Sequence, residues 1–534
     1  MIDYSKKRFL VVDDFSDFRS SVTGMLRQLA VQNVDTAANG DEALAQCRRN
    51  SYDIILHDYN LGEGKNGQQV LEELHHAKLL SPHCIFVMVT AESSQAMVMA
   101  ALETEPDAYL TKPFTRASLQ QRLDKLVERK AALKPILDAL AKSDHRGVAR
   151  ASAEIMASHP RYAPQCQRFL ADALRELGQH AELENLLSKL VDDRPMPWAL
   201  VALATHYRTT GQLDKARALY QRGIELFPML PALYDGLAAV AAAEGDTRKA
   251  QQYVEQGVKI SPNTLRRQAE LGKLALQNQD HDRAVRAFRQ AVDLGKNSAF
   301  RDPENHLNLA ASLTDQAGEG SLNPRALVEI RQTLGELDKT WRDDPALGVR
   351  SNLVQARTMT KAGKPDEARR LAEQAAQRMG EMSTFFPADV ALAVASQLRE
   401  LGQADRAEDV LATCAEMYGD DPKVMAGIAE QTDNSAILNA GVDAQKLNRE
   451  GIRQYQQKQF PEALDSFRKA LASQPRNISF ALNTAQSLLR LLASNRDPEL
   501  KAECLRCLDQ VRSMPASDHR FERYQKLLRS VESL

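Results

Sequence analysis

The sequence predicts an α/β domain followed by an all-α region. In the first quarter of the chain, short apolar runs rich in β-branched residues alternate with amphipathic segments of helical period. After about residue 115, Ala, Leu, Gln, Glu, Arg and Lys dominate, which favours long helices. The first pattern is typical of a parallel sheet with helices on both faces, and the second of stacked helices.

The N-terminal domain is expected to contain five strands. Three apolar runs are strong and the second and fifth are weaker; the five runs are residues 9–12, 34–37, 53–57, 84–89 and 108–110. Five βα units of this spacing fit a five-stranded doubly wound sheet. We therefore place the α/β domain in residues 1–128 and the helical region in residues 129–534.

Composition excludes several classes of protein. The 534 residues carry 69 Lys and Arg against 71 Asp and Glu, a formal net charge of −2, so we expect no DNA partner. No stretch approaches the roughly 18 apolar residues of a membrane span, and the N-terminus lacks the apolar segment of a secretion signal. We expect a cytoplasmic protein without membrane insertion, whose six scattered cysteines stay reduced.

Polar side chains follow the predicted strands. Asp13 and Asp14 follow the first strand, Asp58 the third, Thr90 the fourth and Lys112 the fifth. The carboxyl ends of parallel strands meet in one crevice, where three carboxylates repel each other unless a cation such as Mg²⁺ joins them. A carboxylate beside a metal ion, an ammonium and a hydroxyl is suited to accept a phosphoryl group, and we choose Asp58 as this nucleophile.

These residues stand in motifs that resemble the receiver domain of bacterial two-component response regulators. The motifs are FLVVDDFS at residues 9–16, Asp58, VTAE at 89–92 and YLTKPFT at 109–115. The resemblance implies that a sensor histidine kinase or a phosphotransfer protein phosphorylates Asp58. It also implies a cis peptide bond between Lys112 and Pro113.

The resemblance also assigns a metal site. Asp14 and Asp58 would ligate Mg²⁺ directly, together with the backbone carbonyl of Asn60, and Asp13 would act largely through water. Lys112 would contact the phosphoryl oxygens.

Two further residues are implied to switch with phosphorylation. Thr90 would hydrogen-bond the phosphoryl group and move towards it, and Tyr109 would change its rotamer. Both changes would alter the face formed by the fifth strand and the helices on either side of it. That face would pack against the helical region or against a second receiver, which leaves open a homodimer through the receiver.

Two features near Asp58 need a separate interpretation. Gly62 replaces the usual proline after the third strand, in a loop that is slightly longer than common, so we expect a looser loop without loss of activity. His57 precedes Asp58, and the period-two alternation of a strand points it to the opposite face. We expect it to be a packed core histidine.

The helical region repeats with a period of about 34 residues. Prolines close successive units at positions 160, 195, 228 and 262, and glycines between helices fall at positions 178, 211 and 245. Small residues would let two antiparallel helices approach, and an aromatic residue such as Tyr220 would fill the gap to the next pair. The pattern resembles the tetratricopeptide repeat (TPR), a helix-turn-helix unit.

We count about nine such units. The register breaks near residues 299–348 and 419–443, which we interpret as longer helices, a hinge or a divided array. The 318–321 segment GEGS is expected to be a loop. Cys504 and Cys507 lack a second ligand pair and are expected to pack in the core rather than bind zinc.

The helical region contains no signature of catalysis. Residues 129–534 lack a glycine-rich phosphate loop and a His-Glu-x-x-His motif, so we expect no enzyme activity beyond the receiver's own phosphorylation and dephosphorylation. Stacked helix pairs typically bind proteins, so a protein ligand of the TPR region is expected. The helix after the fifth strand runs into the first repeat without a glycine-serine tether, which favours coupling between the two parts.

The sequence therefore predicts a response regulator that signals through protein–protein interaction of its TPR region. Three alternatives stay open: a phosphate sink or relay intermediate, an unrecognised enzyme activity in the irregular segments, and a TPR scaffold that acts independently of phosphorylation. The sequence does not name the kinase, the protein ligand or the pathway.

Overall fold

The chain divides into two compact units, residues 1–305 and 306–534. The structure is a computed structural model, and the residues it describes are 2–62, 64–91, 106–193, 195–317, 322–381, 386–439, 441–493, 495, 497–512, 514 and 518–532. The proposed boundary between residues 128 and 129 lies inside the first unit and stays a prediction.

The first unit begins with a five-stranded parallel sheet of order β2-β1-β3-β4-β5. All five predicted strands are confirmed to within one residue at each end. Their bounds are β1 Arg8–Val12, β2 Asn33–Ala37, β3 Ile54–Asp58, β4 Ile85–Thr90 and β5 Ala108–Thr111.

Helices cover both faces of this sheet. Their bounds are α1 Ser16–Gln28, α2 Gly40–Arg49, α3 Gly67–His76 and α4 Arg116–Ala132. One buried layer lies between the sheet and α1 and α4, with Phe9 and Val87 in it, and the other lies on the side of α2 and α3, with Leu10 and Phe86 in it. Side chains alternate between the two layers because successive residues of a strand point to opposite faces. The helix expected between β4 and β5 falls at 92–105, outside the described residues.

The α/β domain continues into the helical region with almost no linker. Leu133 alone separates α4 from α5, Lys134–Ala141. The ammonium of Lys130 donates to the Pro82 carbonyl at 3.0 Å, and His83 Nε2 lies 3.0 Å from Asp138 Oδ1. The expectation of a join without a flexible tether is therefore confirmed.

Antiparallel helices follow within the first unit. Their bounds are α6 His145–Ser158, α7 Ala163–Glu176, α8 His180–Asp193, α9 Pro197–Thr209, α10 Leu213–Leu226, α11 Pro231–Ala243, α12 Thr247–Ile260, α13 Leu265–Gln277 and α14 His281–Gly295. The turns of the pairs α7/α8, α9/α10 and α11/α12 each contain a left-handed residue, with φ of 67° at Gly178, 79° at Gly211 and 82° at Gly245. Gln279 takes the corresponding place in the α13/α14 turn, with φ of 61°. These stacked pairs resemble tetratricopeptide repeats, as predicted.

Close approach between neighbouring helices, both within a pair and between pairs, explains the small and aromatic residues of the repeat. A Cβ added to Gly236 of α11 would lie 2.2 Å from the ring of Tyr220, and one added to Gly272 of α13 would lie 2.7 Å from Phe288. Both aromatic rings are buried. The aromatic side chain therefore fills the space that the glycine leaves on the neighbouring helix.

Helices from residue 303 onward are less regular. Their bounds are α15 Pro303–Gln316, α16 Pro324–Thr340, α17 Pro345–Lys361, α18 Pro365–Glu381, α19 Ala388–Glu400, α20 Ala404–Tyr418, α21 Pro422–Ala429, α22 Ser435–Leu438, α23 Val442–Gln456, α24 Phe460–Ser473, α25 Ile478–Leu492, α26 Pro498–Asp509 and α27 Phe521–Glu532.

The first break in register contains the division at residues 305 and 306, the 17-residue helix α16 and the start of the 17-residue helix α17. The second contains two short helices, α21 and α22. The loop expected at 318–321 lies outside the described residues. Among the described helices, none is long and apolar enough to span a membrane.

The two cysteines of α26 lie in the core. Cys504 and Cys507 are both buried, and neither is in a disulfide. Burial raises the pKa of Cys504 to about 11 and that of Cys507 to about 12. Such thiols are poor nucleophiles and poor metal ligands, which agrees with the packing role.

Candidate functional site

The polar residues singled out from the sequence meet at one edge of the sheet. Asp13 and Asp14 directly follow β1, Asp58 ends β3, Thr90 ends β4, and Lys112 directly follows β5. This edge is formed by the carboxyl ends of the strands, where open α/β sheets bind their ligands.

Three carboxylates form the acidic cluster, which consists of Asp13, Asp14 and Asp58. One carboxylate oxygen of each lies within 4.8 Å of the other two. Asp13 and Asp58 are buried, whereas Asp14 is exposed. The backbone N–H of Phe15 donates to Asp13 Oδ1 at 2.9 Å and so fixes that carboxylate.

Hard divalent cations prefer oxygen ligands, and Mg²⁺ is commonly held by one or two carboxylates with its remaining ligands from other oxygens. A donor set made only of carboxylate oxygens, one of them open to solvent, fits this cation. The acidic triad typical of a receiver's Mg²⁺ site is therefore present.

Lys112 connects the two buried carboxylates. Its Nζ lies 2.6 Å from Asp13 Oδ2 and 2.9 Å from Asp58 Oδ2. It also lies 4.1 Å from the centre of the Phe18 ring, a cation–π contact. Burial opposes the charge of Lys112, but the hydrogen bonds to Asp13 and Asp58 raise its pKa above the ordinary value.

Burial is the largest electrostatic effect on Asp58 and raises the pKa of its carboxyl above the ordinary value. The hydrogen bonds from Lys112 and from the backbone N–H of Asn60 oppose this shift by favouring the charged form. A carboxylate that is poorly solvated but close to a cation is more reactive towards an electrophile than one in water.

Thr90 and Tyr109 lie on adjacent strands beside this cluster. Thr90 is 3% exposed, and its carbonyl accepts a 2.7 Å hydrogen bond from the backbone N–H of Lys112. Tyr109 is half-buried on β5. The switching face expected from the sequence also includes the helix expected before β5, and residues 92–105 lie outside the described residues.

Two site residues were missed by the sequence reasoning. Arg19 on the first turns of α1 donates from Nη1 to the carbonyls of Asp13 at 2.7 Å and Asp14 at 3.1 Å. The ring of Phe18, the preceding residue, makes the cation–π contact with the ammonium of Lys112. The available signal was their position five and six residues after Asp13, at the start of a helix that the apolar periodicity predicts.

His57 is a core residue, as expected. It is fully buried, its Nδ1 lies 2.7 Å from the Asp58 carbonyl oxygen, and its ring stacks on Phe86 at 5.6 Å. Burial lowers the pKa of His57 to about 4, so the ring is neutral near pH 7. The expected cis peptide bond between Lys112 and Pro113 is present.

The family model of the response regulator receiver domain matches residues 9–124. The chemotaxis protein CheY-3 of Vibrio cholerae is 34% identical over 122 residues, which are 23% of this chain and 92% of that protein. The chain belongs to the response regulator receiver family. Another relative, the chemotaxis protein CheY of Pseudomonas aeruginosa, is 31% identical over 122 residues and is covered to 97%.

Two solved structures are similar to different parts of the chain. Chemotaxis protein CheY4 of Vibrio cholerae is 26% identical with a TM-score of 0.21, and the match covers 22% of this chain and 98% of that protein. The TPR protein YrrB is 15% identical with a TM-score of 0.31, covering 37% of this chain and 93% of that protein. The family match therefore lies in the first quarter of the chain.

Proposed function

We propose that Asp58 accepts a phosphoryl group from a sensor histidine kinase or a phosphotransfer protein. The observation that carries this proposal is the position of Lys112 Nζ, within 3 Å of both Asp13 and Asp58 at the carboxyl edge of the sheet. In the reaction, an oxygen of Asp58 bonds to phosphorus while the phosphorus–nitrogen bond of the donor phosphohistidine breaks, and the donor imidazole leaves.

The proposed direct metal ligands are Asp14, Asp58 and the backbone carbonyl of Asn60, and Asp13 belongs to the same site largely through water. When bound, Mg²⁺ would neutralise charge on the transferring oxygens. Lys112 adds a second positive charge at the same place, held there by Asp13. Arg19 fixes the backbone from which Asp13 and Asp14 project.

We assign the switch to Thr90 and Tyr109. Thr90 ends β4 next to Asp58, and a phosphoryl group on Asp58 brings strong acceptor oxygens into reach of its hydroxyl. Movement of Thr90 would change the space available to the side chain of Tyr109 on β5 and so its rotamer.

A phosphorylation assay tests the phosphoacceptor. The full chain is incubated with acetyl phosphate or phosphoramidate and Mg²⁺, and the acyl phosphate is measured on a phosphate-affinity gel. We expect phosphorylation of the wild type and none of Asp58→Asn or of wild type in excess chelator. Phosphoprotein that persists in either case would contradict the assignment.

We further propose that residues 129–534 form a TPR output region that binds a protein, so that enzyme chemistry is confined to Asp58. A surface in the second unit supports this. Three helices carry it: α25 contacts both α23 and α27, and one network of hydrogen bonds joins the three.

Two arginines of this network lack a carboxylate partner among the described residues. Arg523 donates to Asn483 Oδ1 at 2.7 Å and to Gln486 Oε1 at 2.6 Å, and Arg490 donates to the hydroxyl of Tyr455 at 3.0 Å. Burial among these neutral groups lowers the pKa of Arg523. An acidic segment of a partner would supply the missing carboxylates.

Charge reversal tests this surface. A fluorescent hexaglutamate peptide is titrated with the full chain, and we expect Arg490→Glu to weaken binding at least about 10-fold. Arg453→Glu is the matched control, because Arg453 already pairs with Glu450 on its own helix. Equal binding by wild type and Arg490→Glu would place the protein ligand elsewhere.

Two alternatives make different predictions for phosphorylation. A phosphate sink or relay intermediate would pass its phosphoryl group on or lose it without a change in ligand binding, which phosphotransfer profiling detects. A scaffold would bind its protein ligand equally well with and without phosphate on Asp58.

A further inference from the structure

The loop between β3 and α3 contacts a distant part of the helical region in the first unit. This loop joins Asp58 to Gly67, where α3 begins. The carbonyl of Gly64 accepts a 3.1 Å hydrogen bond from the side-chain amide of Asn297, which lies 233 residues further along the chain and just beyond α14.

A second contact lies at the other end of α3. The edge of the His76 ring meets Phe300 with the ring centres 5.4 Å apart and the planes at 71°. The guanidinium of Arg266 lies 4.2 Å from the centre of the same Phe300 ring. Phe300 therefore contacts both Arg266 on α13 and His76 on α3, and it connects residues 296–301 with the receiver.

The same loop faces the acidic cluster. The backbone N–H of Asn60 bonds Asp58, and a Cβ added to Gly62 would lie 3.7 Å from Asp14 Oδ2. The loop is closed at its base, because the N–H of Gly67 donates to the Tyr59 carbonyl at 2.8 Å. The described residues Asn60, Gly62 and Gly64 therefore connect the acidic cluster with the bond to Asn297.

The contact between α3 and residues 296–301 is not fully packed, because a cleft of about 430 Å³ lies between them. A small change in free energy can therefore strengthen or weaken it. A single hydrogen bond of the Asn297 kind changes an equilibrium by about 2- to 12-fold, which overlaps the roughly 5- to 150-fold range of typical coupling between sites.

We infer that residues 296–301 are a docking site for the β3–α3 loop and α3 of the receiver. We further infer that loading of the acidic cluster, meaning the binding of Mg²⁺ with or without a phosphoryl group, changes the strength of this docking. The inference rests on the proposed function of Asp58 as phosphoacceptor. It gives the receiver a second connection to the helical region, separate from the Thr90 and Tyr109 face.

Thermodynamic reciprocity requires the contact and the acidic cluster to affect each other by the same factor. If loading the cluster loosens residues 296–301, then removing the contact must tighten Mg²⁺ binding by the linked factor. If loading protects residues 296–301, then removing the contact must weaken Mg²⁺ binding. The two measurements must agree in sign.

The experiment uses the full chain with Mg²⁺ and beryllium fluoride, a phosphoryl mimic. Hydrogen exchange of peptides covering 296–301 is compared without ligand, with Mg²⁺ alone and with both ligands, in wild type and in Asp58→Asn, and the Mg²⁺-alone comparison gives the sign for reciprocity. The Mg²⁺ dissociation constant is then measured by calorimetry for wild type, Asn297→Ala and Phe300→Ala. Asn263→Ala is the matched control, since Asn263 is an exposed residue in the corresponding turn after α12.

We expect the exchange rate of 296–301 to change at least about 2-fold on loading of the wild type and not in Asp58→Asn. We expect Asn297→Ala and Phe300→Ala to change the Mg²⁺ dissociation constant by about 2- to 12-fold, with the sign that reciprocity requires, and Asn263→Ala to leave it unchanged. Asn297 is exposed, so its variant folds even where Phe300→Ala does not.

Loading without any change at 296–301, or effects of opposite sign, would overturn the docking inference while phosphorylation of Asp58 stands. A wild type that binds neither Mg²⁺ nor beryllium fluoride would overturn both.

Discussion

Lys112 Nζ lies closer to Asp13 Oδ2, at 2.6 Å, than to any oxygen of the proposed phosphoacceptor, which it approaches at 2.9 Å. The buried Asp13 therefore anchors the lysine independently of Asp58. A phosphoryl group arriving at Asp58 meets an ammonium that is already in place, and little reorganisation is needed at the moment of transfer.

The exposed carboxylate of the acidic cluster should control metal affinity without controlling folding. We expect Asp14→Asn to weaken Mg²⁺ binding at least about 10-fold, because ligand charge sets the affinity of such sites. Calorimetric titration of Mg²⁺ into the full chain measures this. Asp17→Asn, an exposed carboxylate on α1 outside the cluster, is the control, and equal losses in both variants would point to a general charge effect.

Acid should destabilise the receiver through His57. Its folded-state pKa of about 4 lies below the roughly 6.5 of an unfolded chain, so the unfolded state binds the proton first. This contribution to stability is fully present above about pH 6.5 and is lost as the pH falls towards 4, by roughly 3 kcal/mol.

Hydrogen exchange of β3 peptides, corrected for its intrinsic pH dependence, measures this loss. His57→Phe should flatten the decline between pH 6.5 and 4, whereas the exposed His159→Gln should leave it unchanged. A decline of equal steepness in wild type and His57→Phe would show that other groups cause it.

Helix packing should make the effect of a glycine-to-alanine substitution on stability depend on its position. Gly236→Ala places a methyl group 2.2 Å from the buried Tyr220 ring, and we expect a loss of about 1–3 kcal/mol in the free energy of unfolding. Gly335→Ala on α16 meets no atom within 4 Å among the described residues, and we expect it to be neutral or to gain up to about 1 kcal/mol. Thermal unfolding followed by circular dichroism tests both, and a stable Gly236→Ala would argue against the tight contact.

The sheet and the acidic cluster could be predicted because both depend on local patterns. Apolar runs locate the strands, and Asp13, Asp58 and Lys112 follow from the ends of those runs. Gln279 could not be predicted in its left-handed turn, since glycine is the usual residue there and only the spacing to Gly245 points to it.

Contacts between distant segments were beyond the sequence for a different reason. The position of Phe18 over Lys112 depends on how α1 lies across the sheet, and the bond from Asn297 to Gly64 depends on the path of all the intervening helices. Neither leaves a periodic signal in a single sequence.

The last prediction concerns the switch residues Thr90 and Tyr109. We expect Thr90→Ala and Tyr109→Ala to leave Asp58 able to be phosphorylated, since neither forms the proposed metal site nor contributes the lysine charge. Both variants should reduce the change in ligand affinity that phosphorylation causes in the wild type, which for typical coupling is about 5- to 150-fold. Calorimetry at one Mg²⁺ concentration, with beryllium fluoride as the phosphoryl mimic and the hexaglutamate peptide as titrant, measures this change. If wild type binds the ligand equally in both states, the switch is wrong and the scaffold interpretation is favoured. If wild type responds and both variants respond fully, the signal leaves the receiver by another route, for which the bond between Gly64 and Asn297 is the candidate.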